Sequence, residues 1–93
     1  MHGEYKTPGG KLVVADFAVE EGRLRQLRIS GDFFLYPEEA LATIDAALEG
    51  APASDDESAL AVRIASALTP DVTMLGFSPE AVAKAVRRGL GDA

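Results

Sequence analysis

Two short segments hold the residues whose types and spacing could do chemistry. In the first, Lys6, Thr7, Pro8, Gly9, Gly10 and Lys11 set two glycines between two lysines. Glycines open backbone N–H groups to close approach and the ammonium groups supply positive charge, so the segment could meet a phosphate or a carboxylate. It is no P-loop, because the Walker spacing and the hydroxyl residue after the lysine are missing, and a turn by itself accounts for proline followed by two glycines. In the second, Gly31, Asp32, Phe33, Phe34, Leu35 and Tyr36 place three aromatics in four consecutive positions. Neighbouring side chains on extended backbone point to opposite faces, so one buried face cannot hide all three. At least one phenylalanine belongs to a core; the others are expected against a covering helix or a partner protein.

The other candidates have plainer readings. His2 is the only histidine and there is no cysteine, which removes a thiolate zinc site, a disulfide framework and a cysteine nucleophile. Asp55, Asp56 and Glu57 are three carboxylates in a row, a pattern that the dipole at the start of a helix explains without a metal. Arg23 and Arg25 should share a strand face, with Arg28 opposite unless a bulge intervenes. No matched acid, base and nucleophile emerges, so a free-standing enzyme is disfavoured.

Strands and helices must position the two segments. Pro8, Gly9 and Gly10 predict a first hairpin turn after an extended stretch at residues 4–7. Residues 11–20 read as a strand with Val13, Ala15, Phe17 and Val19 on one face. Glu21 and Gly22 form a tight loop to a third strand at residues 23–30, where Leu27 and Ile29 share a face. The aromatic cluster then carries the chain from sheet to helix. Pro37 is expected at a first helical position, with Leu41, Ile44 and Leu48 as the stripe of a helix ending at Gly50. Ser54 and Glu57 have capping-box spacing for a second helix to Leu68, with Leu60, Ile64 and Leu68 facing inward. Residues 69–76 are expected to be irregular. Ser78 caps a third helix, with Phe77 stapled to Val82 and a stripe of Val82, Val86 and Leu90. The expected fold is α+β in two layers, β-β-β-α-α-α, a three-stranded antiparallel sheet covered on one face by about three helices.

At 93 residues the chain fits one domain, and its fold must rest on packing alone. No apolar run approaches a membrane span and the start has no secretion signal, so a cytoplasmic protein is expected. The net charge of −6 lies entirely in residues 37–93, which carry ten acidic and four basic side chains. With no basic stripe interleaved with aromatics, nucleic-acid binding is disfavoured and the charge reads as a solvated surface.

The segments KTPGGKLV at residues 6–13 and ISGDFFLYPEEAL at residues 29–41 resemble the C-terminal domain of lipoate-protein ligases. In some organisms that domain is a separate small subunit of a two-part ligase. The likeness extends over roughly residues 4–50, including the Glu21-Gly22 hairpin, and fades across the last two helices. It implies an α+β fold akin to iron-sulfur scaffold and sulfur-acceptor accessory proteins. It also implies a partner, the large catalytic subunit, which binds lipoate and ATP with Mg, forms lipoyl-adenylate and transfers lipoate to a lysine of an acceptor protein. The small part assists the adenylation step. The catalytic domain's own glycine-rich motif and lysine are absent, so this chain is expected to bind no cofactor and to be inactive by itself. Carried over residue by residue, the contacts to the partner or its adenylate site are Lys6, Pro8, Gly9, Gly10 and Lys11 in the turn. After the third strand they are Gly31, Asp32, Phe33 and Phe34, and Tyr36 joins them as part of the exposed aromatic segment. The acceptor is expected to meet the large subunit, because the helical half of this chain is acidic. The alternative is an interaction or scaffold module related to iron-sulfur assembly proteins, without a lipoate role; the absence of cysteine argues against a sulfur carrier.

Overall fold

The computed structural model describes residues 1–92. Its first sheet has three antiparallel strands in the order β1 (His2–Lys6), β2 (Leu12–Glu20) and β3 (Arg23–Gly31). Three helices, α1 (Ala40–Leu48), α2 (Glu57–Ala67) and α3 (Pro79–Gly89), cover one face. Between them lie two short strands, β4 (Phe34–Tyr36) and β5 (Thr73–Leu75), which pair with each other as a separate antiparallel ribbon. The β-β-β-α-α-α layout is therefore present, and the ribbon is added to it.

Alternation builds the core. Val13, Ala15 and Phe17 on β2 and Leu24, Leu27 and Ile29 on β3 are buried against Ile44 and Leu48 of α1, Leu60 and Ile64 of α2, and Val82 and Val86 of α3. Val19 is only half-buried. Helix α3 comes closest to the sheet over β1, where Gly3 leaves no room: a Cβ there would collide with the Ala85 carbonyl. Leu24 and Leu27 stand three apart yet face the same way because the register shifts between Asp16 and Ala18, with Gln26 at φ 54°. That bulge puts Arg28 on the outward face with Arg23 and Arg25.

Three helix boundaries differ from the sequence reading. Pro37 is not the first residue of α1: residues 37–39 form tight turns in which Ala40, Leu41 and Ala42 donate to the carbonyls three residues back, and the helix proper begins at Ala40. The cap of α2 is Asp56, whose carboxylate accepts the Ala59 N–H at 2.8 Å, rather than Ser54. Ser54 lies inside a turn closed by Asp55 N–H on the Pro52 carbonyl, and the Asp55 carboxylate takes Arg63 Nε at 2.7 Å. Leu68 is the C-cap of α2 and half-buried. Ser78 caps α3 as expected, accepting from the Ala81 N–H at 3.1 Å with Pro79 in the first turn. Residues 69–76, read as irregular, contain β5.

The outer edge of β3 is closed by α1 and the segment after it. Asp45 accepts the Ile29 N–H at 3.0 Å, and Glu49 accepts the Gln26 and Leu27 N–H groups at 3.1 and 3.0 Å. Leu24 exchanges hydrogen bonds with Gly50 and Ala51. Burial pushes the Asp45 carboxyl above its ordinary range, against the Ile29 N–H and Arg28, which draw it down. Glu49→Ala removes the acceptor of two edge amides that water can partly reach, so it should cost about 1 kcal/mol in urea denaturation and lower Tm by roughly 5 °C. An unchanged midpoint would show that the edge closure contributes nothing.

Candidate functional site

The two segments singled out by residue type meet at one end of the sheet, and a third, at residues 76–77, joins them. Thr7 opens the turn and accepts the Gly10 N–H at 2.9 Å, while Lys11 accepts the Thr7 N–H at 3.2 Å. The Gly76 carbonyl then receives both the Lys11 N–H, at 3.0 Å, and Thr7 Oγ1–H, at 2.9 Å. On the other side Asp32 closes the corner after β3: its Oδ1 accepts the Leu12 N–H at 2.7 Å and its own N–H donates to the Leu12 carbonyl at 3.3 Å. Phe33 stacks on Phe77 with ring centroids 3.8 Å apart and planes 19° from parallel.

These bonds decide what the turn can offer. The amides of Gly10, Lys11 and Leu12 are all used within the chain, so an approaching anion finds the ammonium groups of Lys6 and Lys11 rather than a row of free N–H donors. Both lysines are exposed, and neither forms an ion pair among the described residues. The stem of Lys11 lies over Gly76, where an added Cβ would stand 2.5 Å from Lys11 Cγ.

The three aromatics divide. Phe33 turns inward to Phe77, whereas Phe34 and Tyr36 project outward, 55% and 54% exposed. Register places Leu75 opposite Phe34 and Thr73 opposite Tyr36, so Leu75, 51% exposed, completes an apolar patch on the outer face of the β4–β5 ribbon. Beside it runs an open groove of about 360 Å³ lined by Gly31, Phe33, Phe34, Leu35, Tyr36 and Leu41. Thus Lys6, Pro8, Gly9, Gly10, Lys11, Gly31, Asp32, Phe33, Phe34 and Tyr36 fall at one end of the molecule. Sequence reasoning named Thr7 only as part of the turn and Phe77 only as a helix staple, and it gave Leu75 and Gly76 no part in the site. Their only local signal is a glycine beside a phenylalanine; the hydrogen bonds that matter span 69 residues between Thr7 and Gly76.

The remaining titratable candidates lie apart from this constellation or serve the fold. His2 is exposed, with Nε2 on Glu4 and Nδ1 on Asp16 at 2.6 Å each, and these hydrogen bonds, Glu4 first, raise its pKa. Arg23 Nη1 donates to the Gly50 carbonyl at 2.9 Å, and Arg87 Nη1 to the carbonyls of Ala53 and Asp55 at 3.0 Å. Among the described residues no group of three or more histidines and carboxylates could hold a metal ion, and no helix is long and apolar enough to cross a membrane.

At the level of sequence, no protein family and no curated protein matches the chain. A solved structure does. It comes from an archaeal lipoylation system, a bi-partite lipoate protein ligase and its E2 lipoyl domain from Thermoplasma acidophilum, with a TM-score of 0.68 and 25% sequence identity. The match covers 94% of this chain and 98% of the other. The chain is similar to the small subunit of a two-part lipoate-protein ligase. The similarity therefore spans the last two helices and the ribbon as well as the residues 4–50 on which the sequence resemblance rests.

Gly31 is the residue on which the corner turns, because a Cβ there would collide with the Leu12 carbonyl and stand 2.9 Å from the Phe33 ring, at a φ of 154°. Gly31→Ala should destabilise the chain by about 2–4 kcal/mol in urea denaturation. A loss under about 0.5 kcal/mol, the size of an ordinary surface change, would mean that the corner can relax.

Proposed function

We propose that this chain is the accessory subunit of a two-part lipoate-protein ligase, assisting ATP-dependent activation of lipoate to lipoyl-adenylate by a separate catalytic subunit. The observation that carries the reading is the structural match to the bi-partite ligase system over nearly the full length of both chains. The site geometry supports it. A rigid sheet end that presents an apolar patch and two unpaired lysines, with no matched acid, base and nucleophile around its groove, suits docking better than chemistry.

In this reading Phe34, Tyr36 and Leu75 are the apolar anchors of the contact with the catalytic subunit. The turn and the Asp32 corner hold them in place. Lys6 and Lys11 bring positive charge to the edge of that contact, where an adenylate phosphate or a carboxylate of the partner can be met. Lipoate, ATP and Mg belong to the catalytic subunit, and this chain alone is inactive. The lipoyl acceptor meets the catalytic subunit, since residues 37–93 of this chain carry ten acidic and four basic side chains and like charge hinders docking of an acidic domain there.

The two kinds of contact separate in a lipoyl-adenylate assay with reconstituted subunits. Leu75→Glu should weaken stimulation by about tenfold or more in the concentration of this chain required, because it buries a carboxylate in the apolar contact. Lys11→Ala should lower the rate even when this chain is saturating. Stimulation by both variants indistinguishable from wild type would remove the proposed contact, and no stimulation by the wild-type chain would remove the accessory role.

A further inference from the structure

The first sheet has two edges, and the chain treats them differently. At β3 the outward amides of Leu24, Gln26, Leu27 and Ile29 are taken by Ala51, Glu49 and Asp45. At β1 the ladder to β2 uses alternate residues. Met1 exchanges hydrogen bonds with Phe17, Thr7 donates to Lys11, and the register between them is unbroken from His2 opposite Asp16 to Lys6 opposite Leu12. Gly3 and Tyr5 therefore sit in the bonded positions, and His2, Glu4 and Lys6 direct their N–H and C=O groups away from the sheet. Among the described residues one of these outward groups has a partner: the Glu4 carbonyl accepts Arg88 Nη1 at 3.2 Å.

We propose that β1 receives an extended segment of the catalytic subunit as a fourth strand, and that this segment carries carboxylates on the side that faces the helices. An open row of backbone donors and acceptors recognises extended backbone and little else, and proteins that keep such an edge unused normally cover it. The charge beside it selects the sequence. Tyr5, on the helix side of β1, has Lys84 Nζ 5.2 Å and the Arg88 guanidinium 5.0 Å from its ring centre. Lys6 stands at the strand end. Three acids lie nearby: Glu57 is 3.9 Å from Lys84, Glu80 lines the same hollow beside Tyr5, and Glu4 is engaged by His2. The charged groups closest to the Tyr5 ring are thus both cations, Lys84 and Arg88, in a chain of net charge −6.

Arg88 is a removable cover. A strand N–H arriving at the Glu4 carbonyl replaces it, and the freed guanidinium can then take a carboxylate of the same segment. A second copy of this chain fits less well, because edge-to-edge pairing about Tyr5 brings two sets of Lys84 and Arg88 together. Continuity names the catalytic subunit as the source: Lys6 runs directly into the turn at Thr7 to Lys11, which the ligase reading sets against that subunit. The inference rests on that reading.

The test measures affinity for the catalytic subunit by calorimetry with three variants of the full chain. Glu4→Pro deletes an outward N–H that the β1–β2 ladder does not use, Glu4→Ala keeps it, and Arg88→Glu reverses the charge from α3 and leaves the β1 backbone groups in place. The expected result is wild-type affinity for Glu4→Ala and a loss of about tenfold or more for both others. If Glu4→Pro unfolds the chain in a thermal melt, Arg88→Glu decides alone. Wild-type binding that neither Glu4→Pro nor Arg88→Glu diminishes overturns this inference and leaves the ligase reading standing. No binding by the wild-type chain overturns both. Self-association that Glu4→Pro abolishes, seen by sedimentation, assigns the edge to a second copy and likewise overturns it.

Discussion

The Gly76 carbonyl holds the functional end of this protein together. It accepts from the Lys11 N–H and from Thr7 Oγ1, and so ties the first hairpin turn to the end of β5, on the far side of all but the last helix. Glycine at φ 87° lets the chain present that carbonyl with the Lys11 stem lying directly over it. From this tether the ribbon follows. β5 is fixed beside the turn, β4 pairs with it, Phe33 stacks on Phe77, and Phe34, Tyr36 and Leu75 are left on the outside. Two anchors separated by most of the sequence convert flexible glycine-rich backbone into a rigid end.

The elements legible in the sequence are those whose signals are local. The alternation of Val13, Ala15 and Phe17, the Glu21-Gly22 loop and the Ser78-Pro79 cap each specify their structure within a few residues. Spacing was less decisive where two caps competed: Ser54 and Asp56 both precede α2 at plausible distances, and the turn at residues 52–55 settles it for Asp56. Strands β4 and β5 carry no such signal. Each has three residues, too short for alternation to register, and their pairing bridges nearly 40 positions, beyond the reach of any window. The bulge at Gln26 was half legible, since the sequence reading left Arg28 free to join Arg23 and Arg25 on one face if a bulge intervened.

Charge was legible as quantity but not as use. Asp45 and Glu49 look like solvated residues on α1, yet they take the outer amides of β3. Arg87 looks like helix-end decoration, yet it holds the segment between α1 and α2 to α3. Acidic side chains that close one sheet edge and cations that border the other give the domain a direction: one edge is finished, and the other faces outward. The turn reads differently for the same reason. Its glycines suggest a row of free N–H donors, but in place the donors of Gly10, Lys11 and Leu12 are spent on the fold, and the lysine side chains are the main groups left for a partner.

In the proposed complex a catalytic subunit docks on the sheet end formed by residues 7–11, 31–36 and 73–77. Amide hydrogen exchange of this chain, free and in complex with that subunit, tests it directly. Exchange at Phe34, Tyr36, Leu75 and Gly9 should slow by about tenfold or more on binding while the outward faces of α1 and α2 are unchanged. Protection confined to α1 and α2, with the aromatic ribbon exchanging as in the free chain, would contradict the account.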